Sequence, residues 1–177
     1  MNLPNKLTMT RIIMVPVFMA IILKEYYIAA LVVFALASIT DFLDGYLARK
    51  YDLVSSFGKI MDPLADKLLV FSALICFIQL EIVSVWAPII IIAREFFVTS
   101  MRVVAVSKGK VIAASWWGKV KTNVQLFAIL FAMLLCGLGN PAVFGVSIAT
   151  VLIWISAIFT VASWVAYIFE NLSVFKD

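Results

Sequence analysis

Apolar residues fill the chain in long runs, and short polar stretches divide those runs into six segments. They cover about Thr8–Leu23, Tyr27–Lys50, Gly58–Leu80, Val85–Val106, Gly118–Leu138 and Ala142–Phe169. Each approaches or exceeds the ~20 residues an α-helix needs to cross a ~30 Å hydrocarbon core. A polar lead, Asn2–Leu7, holds Pro4 and Asn5 and predicts a short helix or turn at the membrane surface. Pro16 interrupts the first run, which a membrane helix tolerates when neighbours satisfy the freed carbonyl. Pro63 is expected in the first turns of the third segment, where a missing donor costs least. Turns are predicted around Lys24–Tyr27, Glu81–Ser84 and Gly137–Pro141. The longest connection, Ser107–Trp117, ends in an aromatic pair of the kind that marks a membrane interface. The predicted fold is an all-α integral membrane protein with six transmembrane helices and a short N-terminal interfacial segment. It forms one membrane domain over residues 1–177.

Composition strengthens that picture. Of 177 residues, 65% are hydrophobic and 14% charged, and the mean hydropathy is +1.13. A soluble domain of this length has no use for so much apolar surface. Six crossings put both termini on one side, and with them fall all the lysines and arginines except Lys24. By the positive-inside rule that side is the cytoplasm. The expected location is the plasma membrane, multi-pass, with no cleavable signal peptide, since no small-residue cleavage site follows the first apolar run. Histidine is absent, which excludes histidine nucleophiles and bases and leaves proton transfer to carboxylates. Cys76 and Cys136 stand far apart in apolar runs and are read as free thiols. Nothing points to a nucleic-acid partner.

The chemistry concentrates between Thr40 and Lys67. On a helix Asp41, Asp44, Gly45 and Ala48 share one face, and Gly58, Asp62, Ala65 and Asp66 share another. Asp41 lies ~21 Å along a helix beginning near Tyr27, so the carboxylates sit toward the cytoplasmic interface. Carboxylates converging in a low-dielectric setting repel one another unless cations neutralise them. Oxygen-only ligation suits magnesium or manganese, and two such ions can orient a phosphoryl group. The small residues leave room for a ligand against the helix backbone, and Arg49 is placed to reach a phosphate. The bland alternative is a solvated loop end in which the acids pair with nearby lysines and Arg49.

The pattern Asp41-x2-Asp44-Gly45-x2-Ala48-Arg49, eight residues, Gly58-x3-Asp62-x3-Asp66 resembles the signature of the CDP-alcohol phosphatidyltransferase family at every defined position. The resemblance implies a membrane enzyme that joins a CDP-activated lipid to an alcohol and releases CMP. It implies that Asp41, Asp44 and Asp62 bind two metal ions, and that Asp66 binds metal and deprotonates the acceptor hydroxyl. Gly45, Ala48 and Gly58 would pack against the cytidine nucleotide, with Asp44 and Arg49 also on the donor side. Members are often homodimers, so a homodimer is a further option.

Arg94 and Glu95 fall in the middle of the fourth segment, a depth at which charges face protein or water. Arg102, eight residues on, lies about 80° around the helix from Arg94, near enough to line one cavity. Two readings are open: an anion pocket beside the aspartates, or a structural Arg94–Glu95 network. Lys119 and Lys121 start the fifth segment from the same side; Lys119 is assigned to the pocket. For Lys121 contact with anionic lipid headgroups is an equal alternative. Arg11 can snorkel or face the site. The stretches around Asn5, Thr8 and Arg11, Arg94-Glu95 and Gly118–Thr122 resemble bacterial members of the family that make phosphatidylglycerophosphate. That resemblance implies Asn5 and Thr8 near the nucleotide and basic residues near an acceptor phosphate. The sixth segment carries no motif.

The expected reaction is attack of an acceptor hydroxyl on the β-phosphorus of CDP-diacylglycerol, with sn-glycerol 3-phosphate as acceptor and membrane lipids as surroundings. Serine or an inositol phosphate are alternative acceptors, and clustered basic residues favour a phosphorylated one. An ion- or proton-coupled transporter is the alternative of another class. Its acids would continue toward the midplane, whereas these stay near one interface.

Overall fold

The computed structural model describes residues 3–50, 56–107, 109, 115–143 and 145–171, with side chains described outside 3–7, 41–50, 56–60, 62–63 and 143. Among the described residues six helices follow one another: α1 (Leu3–Ile22), α2 (Tyr27–Lys50), α3 (Ser56–Gln79), α4 (Trp86–Ser107), α5 (Trp116–Gly137) and α6 (Ile148–Glu170). A two-stranded hairpin, β1 (Ala142–Val143) and β2 (Val146–Ser147), separates α5 from α6. At 20 to 24 residues each, the helices run about 30–36 Å. Among the described residues, α5 and α6 are long and apolar enough to cross a membrane. The apolar parts of α1 and α2 are shorter, Thr8–Ile22 and Tyr27–Thr40. The outer surface speaks more broadly. Every helix exposes large apolar side chains, among them Ile13, Val32, Ile75, Phe96, Phe127 and Ile158. Water would penalise such a surface, and hydrocarbon does not.

Three boundaries differ from the sequence expectation. The polar lead is not a separate interfacial segment, because α1 starts at Leu3 and runs through it. Pro4 costs nothing there, since the first helical N–H groups have no intrahelical partner. Helix α3 starts at Ser56, so Pro63 lies past its first two turns, where its missing N–H is no longer one of the free ones at the helix start. The third difference is in the last segment. Residues from Ala142 form the hairpin, with Ala142 opposite Ser147 and Val143 opposite Val146, and Gly145 supplies the left-handed turn conformation at φ 79°. Helix α6 then begins after Ser147, whose hydroxyl accepts from Thr150 N at 3.1 Å. Ser115 caps α5 in the same way, accepting from Gly118 N at 3.2 Å.

The core forms where these helices meet. Helix α1 packs on α2 and α3, α6 packs on both α5 and α4, and α2 packs on α5. Phe18 of α1 meets Phe34 of α2 with ring centroids 5.6 Å apart. Phe97 of α4 meets Trp164 of α6 at 5.2 Å. Buried Ala128 and Ala132 of α5 and Ala149, Ser156 and Ala157 of α6 are small enough for close backbone approach. At the far end the Thr150 hydroxyl donates to the Ile82 carbonyl, tying the α3–α4 turn to the start of α6. Cys76 is buried, Cys136 is half-buried, and both are free.

Ala132→Leu forces a larger side chain into the fully buried part of α5, and a stability loss of about 1–3 kcal/mol is expected in detergent unfolding. Phe131→Leu, on the half-exposed neighbouring position, is expected to stay within about 0.5 kcal/mol. Equal effects of the two would refute this account of the core.

Candidate active site

Residues of α1, α2, α3, α4 and α5 line a cleft between the helices. Asp66 is exposed on α3, one position after the buried Ala65 that fixes the face α3 turns inward. Around it open two chambers that share Asp66, Lys67, Glu95, Thr122 and Asn123. The outer chamber, ≈ 700 Å³, adds Arg94, Arg102 and Lys119 to its wall. It thus carries the cations Lys67, Arg94, Arg102 and Lys119 against the anions Asp66 and Glu95. The inner chamber, ≈ 280 Å³, reaches between the helices to Arg11, Ser38, Lys121 and Gln125.

Glu95 holds these walls together. Its Oε1 accepts from Arg94 Nη1 at 2.8 Å and from Lys121 Nζ at 2.5 Å. Arg94 Nη2 donates to Ser163 Oγ of α6 at 2.8 Å. One carboxylate therefore joins α4 to α5, and the guanidinium extends the link to α6. A Cβ added at Gly118 would lie 3.8 Å from Arg94 Nη2 and 3.4 Å from Ser115 Oγ, so the bare backbone at the start of α5 sits close against this network. On the facing side Lys67 Nζ donates to Thr99 Oγ1, which itself donates to the Glu95 carbonyl at 2.7 Å. The lysine beside Asp66 is thereby tied to α4.

Several residues singled out in the sequence meet here. Arg94, Arg102 and Lys119 share the cleft with Asp66. Arg94 combines the two readings left open for it, since it lines the cleft and also fastens Glu95 and Ser163. Lys121 is 3% exposed, which removes the lipid-headgroup alternative: its ammonium turns inward to Glu95. Arg11 does not snorkel. It is 1% exposed, and its Nε donates to the Ala37 carbonyl of α2 at 3.2 Å. Thr8 is fully buried on α1 and is not among the side chains lining either chamber. The side chains of Asn5, Asp41, Asp44, Gly45, Ala48, Arg49, Gly58 and Asp62 lie outside the described residues; their backbone is helical, in α1, α2 and α3.

Asp66 is the one member of the expected metal quartet whose side chain is described, and among the described residues no three acidic or sulfur ligands gather. Helix register sets Asp41 and Asp44 three apart on α2, and Asp62 and Asp66 four apart on α3. An all-oxygen donor set of that kind fits a hard divalent ion.

Sequence reading missed two contributors. Ser163 receives Arg94 from a helix with no motif, and nothing local marks it. Gln125 had a signal: an amide one turn after Lys121 in an otherwise apolar helix.

The family model for CDP-alcohol phosphatidyltransferases matches residues 1–162. A Bacillus subtilis protein named CDP-diacylglycerol–glycerol-3-phosphate 3-phosphatidyltransferase is 41% identical, with 99% of this chain and 97% of that protein covered. Proteins of the same name from Rickettsia felis and Haemophilus influenzae are 40% and 35% identical; both alignments cover 94% of this chain, with 93% and 91% of those proteins.

Glu95→Ala leaves Arg94 and Lys121 buried without their shared carboxylate. A loss of about 3 kcal/mol is expected on unfolding the detergent-solubilised protein. Adding Lys121→Met should recover part of it by removing one cation. A Glu95→Ala protein as stable as the wild type would mean that the carboxylate does not fasten the bundle.

Proposed function

The chain belongs to the CDP-alcohol phosphatidyltransferase family, and from that membership and the cationic cleft beside Asp66 we propose that it transfers the phosphatidyl group of CDP-diacylglycerol to sn-glycerol 3-phosphate. The products are phosphatidylglycerophosphate and CMP, and the role is phospholipid biosynthesis. The observation that carries the acceptor is the outer chamber, where cations outnumber anions around an exposed carboxylate. Such a chamber attracts a phosphorylated alcohol and gives no advantage to serine.

In this reading Asp66 takes the proton of the acceptor hydroxyl. The freed oxygen bonds to the β-phosphorus, and the bond from that phosphorus to the CMP oxygen breaks. Asp41, Asp44, Asp62 and Asp66 hold magnesium or manganese, which when bound supplies positive charge at the diphosphate and the departing CMP. Gly45, Ala48 and Gly58 leave the nucleotide room along the helices, with Asn5, Thr8, Asp44 and Arg49 on the donor side. Arg102 and Lys119 hold the acceptor phosphate at the chamber wall. Arg94, with two of its nitrogens committed to Glu95 and Ser163, adds its charge from behind.

The whole chain, residues 1–177, acts as one membrane domain of six crossings, with both termini and the cleft facing the cytoplasm of a bacterial cell. Acyl chains then enter from the bilayer while the nucleotide and acceptor arrive from water.

The test is formation of labelled lipid from CDP-diacylglycerol by the purified protein with glycerol 3-phosphate, inositol phosphate or serine in turn. Product is expected with glycerol 3-phosphate, abolished by chelation and restored by magnesium or manganese. Product with serine alone would overturn the acceptor, and full activity after exhaustive metal removal would overturn the metal site. Within the same assay Arg102→Ala is expected to raise the KM for glycerol 3-phosphate about 10-fold, the lower range for one charge-assisted hydrogen bond at an exposed position. The KM for CDP-diacylglycerol should barely move; a shift in the donor KM instead would place Arg102 on the other substrate.

A further inference from the structure

The inner chamber is not explained by phosphate binding. Its wall includes the terminal amide of Gln125, a residue 4% exposed whose Oε1 is buried with no hydrogen-bond partner among the described residues. An amide left unsatisfied in an apolar bundle costs stability. A bound water could satisfy it, yet one water needs only about 10–15 Å³ of such space. This chamber measures ≈ 280 Å³ and opens to Asp66.

Position along α5 orders the chemistry. Lys119 is exposed on the outer wall, Lys121 is buried against Glu95, and Gln125 comes about 9 Å beyond Lys119 along the axis. A ligand held by its phosphate in the outer chamber, with its reacting hydroxyl at Asp66, has its uncharged remainder beside the inner one. An uncharged amide there suits a neutral hydroxyl, because it both donates and accepts.

Resting on glycerol 3-phosphate as the acceptor, we propose that Gln125 is a specificity-determining residue that hydrogen-bonds the C2 hydroxyl, the one that does not react. Binding that hydroxyl fixes the rotation of the three-carbon chain and so presents the C1 hydroxyl to Asp66. It also disfavours phosphorylated alcohols that leave the amide unpaired.

The experiment compares glycerol 3-phosphate with 3-hydroxypropyl phosphate, which keeps the phosphate and the reacting hydroxyl and lacks only the C2 oxygen. The wild-type protein is expected to favour glycerol 3-phosphate in kcat/KM. Gln125→Leu is expected to reduce that preference about 10-fold, the range for one neutral hydrogen bond, with the KM for CDP-diacylglycerol unmoved. If Gln125→Leu fails to fold, Gln125→Asn, which withdraws the amide by one methylene, is read for the same loss of preference. Equal falls with both acceptors would make Gln125 a packing residue and overturn the proposal, as would a shift confined to the donor KM. A wild-type protein that uses 3-hydroxypropyl phosphate as well as glycerol 3-phosphate also overturns it, while leaving the phosphorylated-alcohol reading intact. A wild-type protein inactive with glycerol 3-phosphate removes the acceptor assignment itself, and the Gln125 proposal with it.

Discussion

A single carboxylate, Glu95, carries the charge balance on which the walls of the cleft depend. Arg94 and Lys121 are 6% and 3% exposed, and two cations at that depth would drive α4 and α5 apart if nothing lay between them. Glu95 Oε1 accepts from both. Burying the trio costs desolvation, and replacing it by apolar side chains could be as stable. What such a replacement would not supply is a cleft. The ionic link holds α4 and α5 in place while keeping polar groups on the wall that Asp66 faces.

That link also divides the basic residues by task. Arg94 spends two nitrogens on Glu95 and Ser163, and Lys121 spends its ammonium on Glu95. Arg102 and Lys119 stand exposed on the outer wall, where a soluble anion can meet them. The buried pair sets geometry and field; the exposed pair is available to a ligand. An enzyme working on charged substrates at a membrane surface needs both, because a cation mobile enough to bind well cannot also define where the pocket is.

The outside of the molecule follows a simpler rule. Every helix turns large apolar side chains outward, and small residues gather where α5 meets α6. In hydrocarbon, burying a leucine between helices gains little over leaving it in lipid, so close backbone packing and polar links such as Thr150 to Ile82 and Arg94 to Ser163 carry more of the specificity.

The sequence by itself determined the six helical runs, because helix and hydropathy are local properties of a stretch. It determined the aspartate spacing too, since residues three and four apart share a helix face wherever the helix ends up. Boundaries near caps and prolines were less legible. The last helix starts after Ser147 because the residues from Ala142 pair as a hairpin, and Pro63 fell inside α3 because that helix starts at Ser56. Tertiary structure alone decided the partners. Lys119 and Lys121 are two residues apart, yet one faces the outer cleft and the other Glu95. Ser163 meets an arginine 69 positions away, and Gln125 reaches the chamber beside Asp66. A chain records periodicity over a turn or two, whereas which side chain meets which across a bundle depends on how the helices pack, and no local stretch contains that information.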